Sequence, residues 1–232
     1  MSTANPNPPV PPAEALQAVF FDMDGVLVDS EPLWFEAESA VMARLGGSWT
    51  EDYQQQLVGG SMAVTVAYLL SRGTRSAAPA VVERWLVDSM IDALTSRPLP
   101  VMPGARELVA EVAAAGLPYG LVTSSERKIM DAVLAGLGAD FPVAICAEDV
   151  SRCKPDPEGY LLAAEKLGVD PCRCVVIEDS PNGVAAAEAA GCMAIAVQGL
   201  VPIPAVPGRL VVKAVSDLSL GRLLTEYART LR

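Results

Sequence analysis

The chain of 232 residues contains no histidine. The side chain that most readily moves protons near neutrality is missing, so any such task falls to carboxylates, lysine or tyrosine. Cationic residues are scarce as well: 17 Lys and Arg face 28 Asp and Glu, for a net charge of -11. That balance excludes a broad nucleic-acid-binding surface, which needs lysine and arginine in excess. It equally argues against an anionic membrane surface as the main partner. A phosphorylated ligand stays compatible, because a metal and a few local cations can reverse the field inside one cleft. No uninterrupted apolar run is long enough to cross a bilayer. The first residues carry neither a basic n-region nor an apolar h-region, so no secretory signal is expected there. With prolines at 6, 8, 9, 11 and 12, residues 1–14 are expected to form a loose tail.

The five cysteines (Cys146, Cys153, Cys172, Cys174, Cys192) are odd in number and lack framework spacing, which predicts reduced thiols in a cytoplasmic protein. Cys172-Arg173-Cys174 has neither the two-residue spacer nor the second pair of a zinc knuckle.

What the chain does have is apolar material, 51% of its residues, enough for a sizeable core. The organising stretch is Ala18-Val19-Phe20-Phe21 followed by Asp22-Met23-Asp24-Gly25. Residues i and i+2 of an extended chain share a face, so Asp22 and Asp24 leave the strand tip pointing roughly the same way. Two carboxylates that close repel unless a cation or a shared proton sits between them. The pair suits a hard divalent cation such as Mg2+. It also suits a nucleophile beside an acid/base.

From Pro32 to Pro100 the pattern is helical throughout, over roughly 32–45, 51–57, 62–71 and 80–95, with a flexible break at Gly59-Gly60-Ser61. From Pro103 helices and strands alternate. Helices are predicted over 105–115, 125–137, a segment capped by Asp156 and running to Gly168, a segment from Ser180-Pro181 to Gly191, and 218–227. Strands are predicted over 118–122, 141–146, 174–177 and 193–197. This order predicts an α/β fold, a Rossmann-like doubly wound parallel sheet with an inserted all-α cap. The core would span 15–31 and 102–232, and the cap 32–101.

In such a sheet ligands bind beyond the carboxyl ends of the strands. Each predicted strand end carries chemistry. Thr123-Ser124-Ser125 offers hydroxyls and free backbone N–H groups before a helix. Cys153-Lys154-Pro155 offers one cation beside a rigid backbone. Glu178-Asp179 repeats the acidic pair after Val175-Val176-Ile177. Together these are the parts for phosphoryl transfer through a carboxylate.

The four stretches resemble, in order, the motifs of the haloacid dehalogenase-like hydrolases, from Val19 to Val197. Within that superfamily the chain resembles the branch with a small helical cap after the first motif, which holds β-phosphoglucomutases and small-metabolite phosphatases, and Asp29-Ser30-Glu31-Pro32-Leu33-Trp34 particularly resembles its sugar-phosphate phosphatases. The resemblance implies that Asp22 attacks phosphorus and that Asp24 serves as acid and then base. It implies that Mg2+ is held by the Asp22 carboxylate, the Asp24 carbonyl and Asp179, with Glu178 a nearby or water-mediated ligand. Thr123, the Ser124 backbone and Lys154 would hold the phosphate. The mutases carry a histidine about where Trp34 stands, and an arginine where Met62 follows Gly60-Ser61. Hydrolysis of a small phosphomonoester is therefore expected ahead of a phosphomutase, with an inactive interaction scaffold as a third reading. Trp34, Gly59, Gly60 and Met62 are expected to bear on specificity, and the protein is expected to act as a monomer.

Overall fold

The computed structural model describes residues 15–231; the Pro-rich tail expected at 1–14 lies outside them. The expected doubly wound sheet is observed. Six strands, β1 (Ala18–Phe21), β2 (Tyr119–Val122), β3 (Val143–Ile145), β4 (Cys174–Glu178), β5 (Met193–Val197) and β6 (Leu210–Val212), lie in the order β3-β2-β1-β4-β5-β6. All neighbours pair in parallel, with Phe20 opposite both Gly120 and Val176. The order reverses between β1, β2 and β4, the kind of switch point at which doubly wound sheets bind ligands.

Alternation along β1 sends its side chains to two buried layers. Val19 and Phe21 join one layer with residues of α5 (Ala105–Ala114), α6 (Arg127–Leu137) and α9 (Leu220–Thr230). Ala18 and Phe20 join the other with α7 (Glu158–Leu167) and α8 (Pro181–Ala189). The central strands are buried on both faces, which is why they read as continuous apolar runs rather than alternating ones.

Of the five helices between β1 and β2, the first four are α1 (Glu31–Arg44), α2 (Glu51–Gln55), α3 (Met62–Arg72) and α4 (Pro79–Thr95). They have a buried cluster of their own, including Val41, Leu45, Trp49, Leu69 and Leu86. The inner sides of α1 and α4, with Leu33, Ala37, Val87 and Met90, continue into the core beside the sheet, and α4 packs on α6. The two connections to the sheet lie side by side. Asp29 N–H donates to Pro100 O at 2.7 Å, Met102 N–H donates to Leu27 O at 3.0 Å, and Val28 bridges Val101 in antiparallel fashion.

Some boundaries differ from expectation. Asp156 is not the N-cap of α7; Pro157 holds that position, and Asp156 Oδ1 accepts from Glu158 N–H at 3.1 Å one step into the helix. Helix α6 begins at Arg127, because 123–125 form the turn at the sheet edge. Strand β6 was not expected, since its three residues follow a loop rich in proline and glycine; it pairs with the edge of β5. The last helix starts at Leu220, where Ser219 Oγ accepts from Arg222 N–H.

Candidate active site

The tips of β1, β2 and β4, with the segment before α7, bring Asp22, Asp24, Thr123, Ser124, Lys154 and Asp179 to one cleft. The insert lines the same cleft with Glu31, Trp34, Glu38, Gln54, Gly59 and Met62, among others.

Lys154 is buried and all three of its N–H donors are used. Nζ lies 2.5 Å from Asp22 Oδ1, 2.6 Å from Glu178 Oε1 and 2.8 Å from the Val122 carbonyl. Burial opposes its charge, but the carboxylates of Asp22 and Glu178 outweigh burial and hold its pKa above the ordinary lysine range. Asp22 is pushed the other way from a simple ion pair. Burial and the Glu178 charge raise its pKa well above the usual carboxylate range, more than Lys154 lowers it. Asp179 is raised as well, by burial and then by Asp22 and Glu178.

Glu178 is completely buried and saturated. Its Oε1 accepts from Lys154 and from Tyr160 OH at 2.8 Å, and Oε2 accepts from Ser180 Oγ and the Asp179 and Ser180 N–H groups. A Cβ at Gly183 would fall 1.8 Å from Glu178 Oε1, so only glycine fits there in α8. Asp179, by contrast, receives no hydrogen bond to its carboxylate among the described residues. It sits against Gly25, whose φ of +71° and lack of a side chain (a Cβ would be 1.9 Å from Asp179 Oδ2) allow the approach.

One oxygen each from Asp22, Glu178 and Asp179 lie within 4.8 Å of one another. Of these three buried carboxylates two share one ammonium, and the third lacks any donor among the described residues. That donor set fits a hard divalent cation. Glu178, with both oxygens engaged, fits best as a support beside such an ion.

Asp24 is held from two sides. Ser125 Oγ at 2.8 Å and Thr123 Oγ1 at 3.5 Å donate to Oδ2 from the sheet; Ser30 Oγ at 2.5 Å and Trp34 Nε1 at 3.2 Å donate to Oδ1 from the start of the insert. Ser124 Oγ is buried without a partner among the described residues. Sequence reasoning missed Ser30, Ser125 and Tyr160. Ser30 and Ser125 stood inside stretches already singled out; nothing marked Tyr160 except its helix, which packs on β2 and β3.

Residues 16–191 match the family model described as "haloacid dehalogenase-like hydrolase". The chain belongs to the haloacid dehalogenase-like hydrolases. Within this family it is 38% identical over 191 residues to "Hexitol phosphatase B" of Escherichia coli (strain K12), covering 80% of this chain and 85% of that protein. It is 33% identical to "Phosphorylated carbohydrates phosphatase" of Thermotoga maritima, covering 76% and 82%. The crystal structure of CbbY from Rhodobacter sphaeroides in complex with xylulose bisphosphate superposes with a TM-score of 0.82 at 26% identity, over 89% of this chain and 98% of that one. A hydrolase of this family therefore carries the acidic cleft, and among the described residues no helix is long and apolar enough to cross a membrane.

The buried acids set a pH dependence. Burial, partly offset by a hydrogen bond from Trp49, pushes Glu38 up to about 8, from 4.5. A carboxyl raised in the folded state contributes stability that is fully present below its unfolded pKa and lost as the pH rises through the folded value. Wild-type protein without metal should therefore melt at a lower temperature at about pH 8.5 than at about pH 5. Glu38→Gln should lessen that difference, as read by thermal unfolding at both pH values.

Proposed function

We propose that this chain is a Mg2+-dependent phosphatase that hydrolyses a small phosphorylated metabolite, a sugar or sugar-alcohol monophosphate, through a phosphorylated Asp22. The observation that carries this reading is the convergence of Asp22, Asp24, Lys154 and Asp179, from three separate segments, on one cleft. The names of the relatives support the substrate class.

Each residue has a task its surroundings suit. The Asp22 carboxylate forms the new bond to phosphorus as the ester oxygen leaves. Asp24 gives that oxygen its proton, then takes one from the water that cleaves the aspartyl phosphate. Lys154 fixes Asp22 and lessens its repulsion from an incoming phosphate. Thr123 and Ser124 hold phosphate oxygens, the unpartnered Ser124 hydroxyl being available for this. Mg2+, held by Asp22, Asp179 and the Asp24 carbonyl, would supply the remaining positive charge.

Helices α1 to α4 act as a cap. Asn182 Nδ2 donates to Gly59 O at 3.0 Å, which links the α2–α3 turn to the core, and closure would exclude bulk water. Trp34, where the mutases carry a histidine, donates to Asp24, which favours hydrolysis over phosphomutase action. Five unpaired thiols support a cytoplasmic location, and action as a monomer belongs to the same reading.

A phosphate-release screen over sugar phosphates, sugar-alcohol phosphates, phosphoglycolate and nucleotides, with and without Mg2+, tests the reading. Release from a sugar-type monophosphate only when Mg2+ is present is expected. No release from any phosphomonoester would end it.

A further inference from the structure

The core side of the cleft accounts for a phosphate; the rest of a substrate must lie against the insert and the start of α6. That surface is short of cations. Lys154 is the only lysine or arginine among the described residues lining the cleft, and its donors are spent on Asp22, Glu178 and Val122. Carboxyl groups stand there instead.

Glu31 and Glu38 are each pinned by one oxygen. Gln54 Nε2 donates to Glu31 Oε2 at 2.9 Å and again to the Glu31 carbonyl at 2.7 Å. Trp49 Nε1 donates to Glu38 Oε2 at 2.9 Å. The other oxygen of each carboxyl has no partner among the described residues, although Glu38 is only 4% exposed. Gln54 and Trp49 are themselves buried, so both carboxyls are oriented before any ligand arrives. Across the phosphate loop, Glu126 Oε2 is a buried oxygen without a partner among the described residues. A buried acceptor left unpaired is costly and is relieved by a donor.

We propose that Glu31 and Glu38 are specificity-determining residues, which accept hydrogen bonds from the hydroxyl groups of an uncharged polyol chain and reject substrates bearing a second anionic group. This rests on the phosphatase reading above and narrows it. A second phosphate or a carboxylate would meet unpaired carboxyl oxygens and no free cation, whereas each hydroxyl of a sugar alcohol brings a donor to an oxygen that lacks one.

The test compares wild type with Glu31→Gln, Glu38→Gln and the double variant at saturating Mg2+. The substrates are a hexitol monophosphate, phenyl phosphate and a hexose bisphosphate. Glutamine keeps the shape and an acceptor for Gln54 or Trp49, and thermal melts confirm folding. The double variant should lose roughly 10-fold or more in kcat/KM on the hexitol monophosphate, mainly through KM. Its activity on phenyl phosphate should stay within about twofold, and discrimination against the bisphosphate should shrink roughly 10-fold. Equal losses on the hexitol and phenyl esters, an unchanged hexitol KM, or wild-type preference for the bisphosphate would overturn the proposal. Failure of wild type to cleave even phenyl phosphate would instead strike at the phosphatase reading.

Discussion

Asp22→Asn should reduce phosphate release by a factor on the order of 10^4 or more while leaving the protein folded. The amide has nearly the same shape as the carboxylate but cannot attack phosphorus. Stability should not fall with activity. Asp22 is one of three clustered buried acids, of which two share a single ammonium, and burial together with Glu178 raises its pKa well above normal. Its ionisation is therefore a liability at high pH, and stability is lost as the pH rises through the raised value. Lys154 retains Glu178 and the Val122 carbonyl after the change. Without metal at about pH 8, the variant should melt no lower than wild type. Brief exposure to substrate labelled in its phosphate, followed by acid quenching, should leave label on wild-type protein and none on the variant. Release within about 10-fold of wild type would exclude Asp22 as the nucleophile.

Lys154→Met presents the opposite case, in which activity and stability fall together. Methionine nearly matches the length of lysine but leaves the Asp22 and Glu178 oxygens and the Val122 carbonyl without their shared donor. Removing one partner from a buried ion pair costs about 3–5 kcal/mol, mostly because the other charge stays behind unpaired. Carboxyls left in this way can take up protons, so the loss should be smaller at about pH 5 than at about pH 8. The lysine does not itself set that slope. Its pKa is raised, so its contribution is present throughout that range and lost only as the pH climbs through the raised value. Urea midpoints at the two pH values measure the effect, and turnover should drop roughly 10²- to 10³-fold. A variant as stable as wild type at both would mean that Lys154 does not neutralise this cluster.

The sheet was legible because its central strands are buried on both faces, and burial of that kind leaves runs such as Met193–Val197 bounded by glycine and loop residues. Strand β6 carries no such mark: it is short, at an edge, and recruited by its neighbour rather than by its own pattern. The acids, the lysine and the hydroxyls at the strand ends could be read because parallel topology alone sends those ends to one edge. What could not be read is who holds whom. Ser30, Ser125 and Trp34 converge on Asp24, and Tyr160 on Glu178, through contacts between distant segments. Likewise the residue pattern alone leaves Glu178 and Asp179 as a pair, and only the family resemblance sets them apart. The five donors around one, and the lack of any around the other among the described residues, supply the physical reason.

The paired backbone bonds at Asp29–Pro100 and Leu27–Met102 carry a consequence for how such proteins diversify. The chain leaves the sheet and returns at neighbouring points, so the strands do not register how many residues intervene, and the entropy of closing a longer excursion grows only with the logarithm of its length. Whole recognition modules could be exchanged at this seam between relatives, lengthened or shortened, while the chemistry beneath is inherited untouched.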